Sequence, residues 1–204
     1  MDLQDLKVTG YEDAFEGALN VQFLGPTGKT TAQYFWADVP ADPEDPDSEA
    51  FYGWYDGDDQ LAENVTIAPG TGLWVQSDSA SYGLQSAGQV ITADTPITLR
   101  SGCILAASPV PVAVDIQDIY IGGYSDAFEG AVNMQFLGPT GKTTAQYFWA
   151  DVPADPEDPD SEAFYGWYDG DDQLADSVTI PAGGAVWVQS DSASYSIVFP
   201  GVTL

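Results

Sequence analysis

Apolar and polar residues alternate along short stretches of this chain. Leu19, Val21 and Phe23 alternate with Asn20 and Gln22, which is the two-residue period of a strand with one buried face. Stretches rich in aromatic and β-branched residues, which favour strands, follow at 31–36, 50–55, 65–67, 73–76 and 81–84. Turn-forming glycine and proline lie between them, and no window keeps a helical period. The pattern therefore predicts an all-β fold of short antiparallel strands, arranged like a β-sandwich.

The chain repeats itself with a period of 113 residues. Each residue of 1–91 aligns with the residue 113 positions later, and 67 of the 91 pairs are identical. The stretch 22–62 recurs unchanged as 135–175. Several differences exchange one apolar residue for another, as between Leu19 and Val132, and core positions tolerate such exchanges. The repeat therefore predicts two tandem copies of one small β unit.

The segment 92–113 occurs only once and is too apolar for a solvated linker. Ile97 and Ile104 are among its residues that favour burial. We therefore assign the segment to the second unit as N-terminal strand material, which predicts domains at 1–91 and 92–204. The first unit then lacks an equivalent segment. Such a gap leaves an unpaired sheet edge unless another strand fills it.

The composition excludes several classes of function. The chain carries 32 acidic and 4 basic side chains and no histidine, so its formal net charge is −28. This charge opposes binding to nucleic acid, which needs lysine and arginine, and binding to anionic membrane surfaces. No apolar run reaches the roughly 18 residues of a membrane-spanning helix. We therefore expect no nucleic acid partner and no membrane insertion.

Enzymatic activity is not expected either. Histidine, the most common general base, is absent from the chain. The lone Cys103 lies in an apolar stretch, so we expect a small buried thiol and not a nucleophile. The first residues show neither the basic start nor the apolar run of a secretory leader. The sequence therefore predicts a non-catalytic protein with no leader visible.

An acidic stretch in each copy holds the candidate metal ligands. Aspartates converge around a glycine turn at 56–59, and carboxylates are the hard oxygen ligands that Ca²⁺ takes in sets of about six to eight. The candidate calcium ligands are Asp56, Asp58, Asp59, Asp169, Asp171 and Asp172. Their spacing does not match an EF-hand. The alternative interpretation is a solvated acidic loop that maintains solubility or adapts the protein to high salt.

Aromatic residues cluster beside these acids. On an extended strand, Tyr52 and Trp54 share one face, and Phe51 and Tyr55 share the other. Bulky side chains on both faces indicate either a strand that is covered on both sides or an aromatic face that stacks on a ligand such as a sugar ring. The candidate ligand-binding residues are Tyr52, Trp54, Tyr165 and Trp167.

These observations favour a non-catalytic structural or interaction protein of a cell surface, a filament or a virion. Its expected partners are other protein subunits or copies of itself, which would donate a strand to the incomplete first unit. The alternative hypothesis is a carbohydrate-binding module, with calcium as its cofactor. In either case the expected location is extracellular, on a cell surface or in a virion.

Overall fold

The computed structural model describes residues 1–11, 18–45, 47–124, 131–154, 156–157 and 163–202. Within these ranges the regular structure consists of short strands in antiparallel sheets and two short 3-10 turns, so the predicted all-β class is confirmed. The chain forms two compact units. The first contains Met1–Leu24, Thr30–Ala68 and Leu73–Gln89, and the second contains Gly25–Lys29, Pro69–Gly72 and Val90–Leu204.

The first unit has six strands among its described residues. They are β1 (Lys7–Thr9), β2 (Leu19–Leu24), β3 (Thr30–Val39), β4 (Phe51–Tyr55), β5 (Trp74–Ser77) and β6 (Gly83–Gln85). A four-stranded sheet has the order β4-β3-β2-β5, and β1 pairs with β6. A 3-10 turn, Leu3–Asp5, precedes β1.

The second unit has ten strands among its described residues. They are β7 (Thr95–Thr98), β8 (Gly102–Ala107), β9 (Val114–Asp115), β10 (Tyr120–Gly122), β11 (Val132–Leu137), β12 (Thr143–Val152), β13 (Phe164–Tyr168), β14 (Thr179–Ile180), β15 (Ala185–Ser190) and β16 (Ser196–Phe199). Its sheets have the orders β13-β12-β11-β15-β8, β10-β16-β7 and β14-β9. The second 3-10 turn, Ile116–Asp118, follows β9.

Two tryptophans form the centre of the first unit's core. Trp36 on β3 and Trp54 on β4 are 1% and 0% exposed, and their ring centroids lie 5.3 Å apart in an edge-on arrangement. The indole N–H of Trp54 donates to the Leu6 carbonyl at 2.8 Å, which satisfies a polar group that burial would otherwise penalise. Leu19 and Val21 of β2 pack into the same cluster.

The unrepeated segment 92–113 forms strands β7 and β8 of the second unit. Leu99, Ala106 and Val110 of this segment are buried in the core of that unit. Strand β7 pairs with β16, and β8 pairs with β15. The segment therefore adds one strand to each of two sheets, and the described residues of the first unit include no counterpart of either strand.

One predicted strand is reduced to a single bridge. In the stretch 65–67 only Thr66 pairs, with Asp2, whereas the equivalent Thr179–Ile180 forms a two-residue strand with Val114–Asp115. This pairing involves one residue pair in the first copy and two in the second, and only the second therefore counts as a strand. Across the described part of the chain, no helix is long and apolar enough to cross a membrane.

Candidate functional site

The same four-residue strand has different surroundings in the two units. Strand β5 and the last four residues of β15 both read Trp-Val-Gln-Ser. In the second unit β15 lies between β11 and β8. In the first unit β5 pairs with β2 and has no second strand among the described residues. We call the side of β5 that faces away from β2 the open edge.

The exposure of one valine shows the consequence. Val188 on β15 is 1% exposed, and the register places it opposite Ile104 of β8. Its counterpart Val75 on β5 is 42% exposed. Ser190 is buried as well, whereas Ser77 is exposed. The open edge therefore presents an apolar side chain together with the backbone groups of an unpaired strand, which is the arrangement that accepts an added strand.

A second pair of equivalent strands differs in sequence as well as in surroundings. Strand β16 lies between β10 and β7, and its residues Ile197, Val198 and Phe199 are buried. At the equivalent positions the first copy has Leu84, Gln85 and Ser86. Polar residues therefore replace two apolar ones on β6, which pairs only with β1 among the described strands. The edge of β6 carries polar residues that suit exposure to solvent, whereas β5 keeps the apolar Val75.

An exposed aromatic cluster occupies strand β4 and recurs on β13. Tyr52 and Tyr165 are 58% and 61% exposed, and Phe51 and Phe164 are exposed as well. Phe51 also contacts Tyr55, with ring centroids 5.6 Å apart. Phe51 and Tyr55 lie on one face of β4 and Tyr52 lies on the other, so the aromatic cluster of the first unit, Phe51, Tyr52 and Tyr55, spans both faces of this strand.

The four candidate ligand-binding residues separate into two groups. Tyr52 and Tyr165 lie at the surface, whereas Trp54 and Trp167 are each 0% exposed. The indole N–H of Trp167 donates to a backbone carbonyl, as that of Trp54 does. Because the tryptophans have no accessible surface, a ligand on the face that they share with the tyrosines would contact Tyr52 or Tyr165.

The surroundings of Tyr52 differ between the copies. Its ring lies 5.2 Å from that of buried Trp36, and the Lys7 ammonium lies 5.8 Å from its centroid. In the second copy, Tyr120 stands at the position equivalent to Lys7 and is itself exposed. The first copy therefore combines an aromatic ring with a cation, whereas the second is purely aromatic.

The candidate calcium ligands lie on two tight turns. The Asp56 carboxylate accepts hydrogen bonds from the backbone N–H groups of Asp58 and Gln60, both at 3.0 Å. Asp59 has a positive φ of 59°, which closes the turn. The turn at Asp169, Asp171 and Asp172 has the same bonds, at 2.9 and 3.0 Å.

These bonds show what one carboxylate does in each turn. An oxygen of Asp56 or Asp169 satisfies backbone donors, which is the usual behaviour of aspartate in such turns. Within the ranges that the structure describes, no three His, Cys, Asp or Glu side chains are grouped closely enough to hold a metal ion. Calcium binding at these residues stays a prediction.

Two tyrosines have perturbed acidities. Burial raises the pKa of Tyr11 to about 12, with smaller contributions from Tyr82, Asp78 and Asp38. The Tyr11 hydroxyl donates to the Trp36 carbonyl at 3.2 Å. Burial likewise raises the pKa of Tyr124 to about 12. These groups pack inside their units, so they bear on stability.

The lone thiol lies on a strand that has no counterpart among the described residues of the first unit. Cys103 is half-buried on β8, where the register places it opposite Gln189.

Sequence reasoning did not single out Val75, the most informative residue of the site. The available signal was that Val75 recurs as Val188, whereas the segment 92–113 occurs once in these 204 residues. A comparison of the chain with protein-family models, with curated proteins and with solved structures found no match.

Proposed function

We propose that this protein is a non-catalytic structural or interaction protein of a cell surface, a filament or a virion. In this proposal two tandem β-sandwich-like units form the body of the molecule, and the open edge of β5 joins it to other protein subunits by strand addition. The observation that carries the proposal is the contrast between Val75, 42% exposed, and Val188, 1% exposed, in strands of identical local sequence.

The residues of the open edge support an interaction role. Natural sheet edges that must stay unpaired are usually blocked by lysine, proline, a bulge or an inward-pointing charge. Strand β5 contains none of these residues: its sequence is Trp74, Val75, Gln76 and Ser77. The edge of β6, in contrast, has exchanged apolar for polar residues. One edge of the first unit is therefore unprotected, and the other is protected.

The net charge of −28 is consistent with this role. A strongly acidic surface keeps copies of a protein apart in solution and limits nonspecific association. Association then depends on a specific contact, and the open edge is a neutral stretch on which such a contact can form.

The proposal is tested by following the protein into its native assembly. The tagged full chain should sediment with the surface, filament or virion fraction of its source, and so should the control variant Gln85→Lys, which changes β6. Val75→Lys should shift the protein to the soluble fraction because a buried lysine in the added pairing is costly. If the full chain is soluble, or if Val75→Lys sediments normally, the proposed role of the open edge is wrong.

A carbohydrate-binding module is the second candidate, and the exposed aromatic cluster is the observation that favours it. Tyr52 and Tyr165 offer flat ring surfaces of the kind that stack on sugars. Glycan-array screening followed by calorimetry would detect such binding, and Tyr52→Ala together with Tyr165→Ala should abolish it. The leading proposal expects no saturable binding of any glycan, so a sugar bound through these tyrosines would replace it.

A further inference from the structure

We propose that β5 accepts an uncharged strand of another protein, antiparallel to it and in the register that β8 takes on β15. This inference rests on the proposed function and specifies the partner of the same open edge.

The second unit provides the template for the pairing. There β8 lies antiparallel to β15, with Trp187 opposite Leu105, Val188 opposite Ile104 and Gln189 opposite Cys103. Because β5 has the same Trp-Val-Gln-Ser sequence, the same register is available to it. An aliphatic residue of the partner would then lie opposite Val75, and a small residue would lie opposite Gln76.

Strand β8 of a second copy is a poor donor because it is bound along both sides. One side pairs with β15 over the six residues Gly102–Ala107. On the other side, still within the second unit, Cys103 N–H donates to the Pro26 carbonyl at 3.0 Å and Ala107 N–H donates to the Gly70 carbonyl at 2.9 Å. Gly72 N–H donates to the Leu105 carbonyl at 2.9 Å. Releasing β8 would break all of these bonds.

The number of strands also opposes exchange between copies. Each chain has two acceptor strands, β5 and β15, and its described residues include one strand of the β8 type. If β8 moved to the β5 of a second copy, the β15 that it left would lose its partner. Exchange therefore transfers the unpaired edge from one strand to another without removing it.

Direct pairing of β5 with the β5 of a second copy is also disfavoured. Each chain carries a net charge of −28, and Asp78 directly follows β5. Antiparallel pairing of two such strands would bring both acidic chains together over only four residues each. A partner without this acidity avoids the repulsion. The observations therefore favour a different polypeptide, with an uncharged strand of small and aliphatic residues.

The experiment is a titration of the full chain with a synthetic eight-residue peptide. Its sequence is that of residues 101–108 with serine in place of the cysteine, so it carries no charged side chain, and tryptophan fluorescence or calorimetry reports binding. We expect one peptide per chain. Val75→Lys should weaken binding at least tenfold, whereas the matched control Gln85→Lys should leave it unchanged. A peptide with aspartate at the position of Ile104 should also bind at least tenfold more weakly, and this comparison needs no change in the protein.

The register is tested by cross-linking. In a chain that carries Cys103→Ser and Gln76→Cys, a peptide that retains its cysteine should form a mixed disulfide under mild oxidation, because these two positions lie opposite each other in the template. Val75→Cys in the same background should react poorly, because neighbouring strand residues point to opposite faces.

Each alternative has a distinct result. No saturation up to about 1 mM peptide, which corresponds to about −4 kcal/mol, would overturn the inference. Binding that survives Val75→Lys would also overturn it. A dimer in sedimentation velocity that Val75→Lys dissociates would identify a second copy as the occupant. A disulfide between Gln76→Cys of one chain and native Cys103 of another would show exchange of β8.

The outcomes also separate this inference from the proposed function. If the peptide fails to bind but the Val75→Lys protein is still lost from the native assembly, the open edge is an interface and only the assigned partner strand is wrong. If Val75→Lys changes neither peptide binding nor assembly, both proposals are wrong.

Discussion

The side chain of Gln4 bonds both backbone groups of Trp54. Its amide donates to the Trp54 carbonyl at 2.8 Å, and its oxygen accepts from the Trp54 N–H at 3.1 Å. Gln117 makes the same two bonds to Trp167, at 2.8 and 3.2 Å. Gly53 precedes Trp54 with a φ of 127°, and a Cβ there would collide with the Gln4 oxygen. The glutamine side chain therefore binds the backbone of β4 next to Ala62, whose N–H donates to the same Trp54 carbonyl at 2.8 Å.

Removing this side chain should destabilise the first unit. Gln4→Ala removes the side-chain acceptor of the Trp54 N–H and leaves the Trp54 carbonyl with the Ala62 N–H as its remaining donor, and a part-buried backbone group without its partner costs about 1–3 kcal/mol. We expect urea unfolding to show a loss of about 2 kcal/mol in the free energy of unfolding. Gln60→Ala, which changes an exposed side chain, should stay within about 0.5 kcal/mol. Equal effects of the two variants would contradict the assigned role of Gln4.

The two valines of the repeated strand should respond differently to the same substitution. Val188→Ala removes buried methyl groups from the second core, so we expect a loss of about 2 kcal/mol in the free energy of unfolding. Val75→Ala changes a 42% exposed side chain and should cost about 0.5 kcal/mol or less. Chemical denaturation of both variants beside the unchanged protein measures the difference. Similar losses would mean that Val75 is covered in solution.

Local sequence patterns predicted the strands well where one simple rule applied. The alternation at 19–23 predicted β2, although Asn20 is buried together with Leu19 and Val21. The aromatic runs predicted β3 and β4, with β3 extending to Val39. The alternation rule does not predict the burial of Asn20. The rule assumes that one face of the strand is exposed to solvent, whereas this part of β2 is covered on both faces.

The candidate site was less predictable because exposure depends on strands that are distant in sequence. Tyr52 and Trp54 share the aromatic run, yet one is at the surface and the other is in the core. Val75 and Val188 share the sequence Trp-Val-Gln-Ser, but β8 lies beside Val188 and no described strand lies on that side of Val75. The sequence shows that 92–113 occurs once, but it does not show which strand of the first unit has a single neighbour.

Stability should fall at alkaline pH as the buried tyrosines ionise. The pKa of Tyr11 and that of Tyr124 are raised from 10.0 to about 12 in the folded chain, mainly by burial. Because the folded state holds these protons more tightly than the unfolded state, their contribution is complete below pH 10 and is lost between pH 10 and 12. The double variant Tyr11→Phe, Tyr124→Phe should show a shallower alkaline loss of melting temperature. An unchanged slope would show that other groups control this range.

Asp56 should stabilise its turn without a metal ion. Asp56→Ala removes the acceptor of two backbone hydrogen bonds, so we expect the free energy of unfolding to fall by about 1 kcal/mol in EDTA and in Ca²⁺ alike. Asp58→Ala serves as the control because the Asp58 backbone and not its side chain takes part in these bonds. The calcium hypothesis would instead be supported by a different result. The melting temperature of the unchanged protein would rise with Ca²⁺ and fall with EDTA, and that of both variants would respond to neither.

Hydrogen–deuterium exchange of the isolated full chain tests the central claim most directly. The comparison is between Trp74–Ser77 on β5 and the identical residues Trp187–Ser190 on β15. We expect the amides of β5 that point away from β2 to exchange rapidly, whereas the amides of β15 between β11 and β8 should be protected. Equally strong protection of the two strands would contradict the account, because it would show that β5 has no open edge.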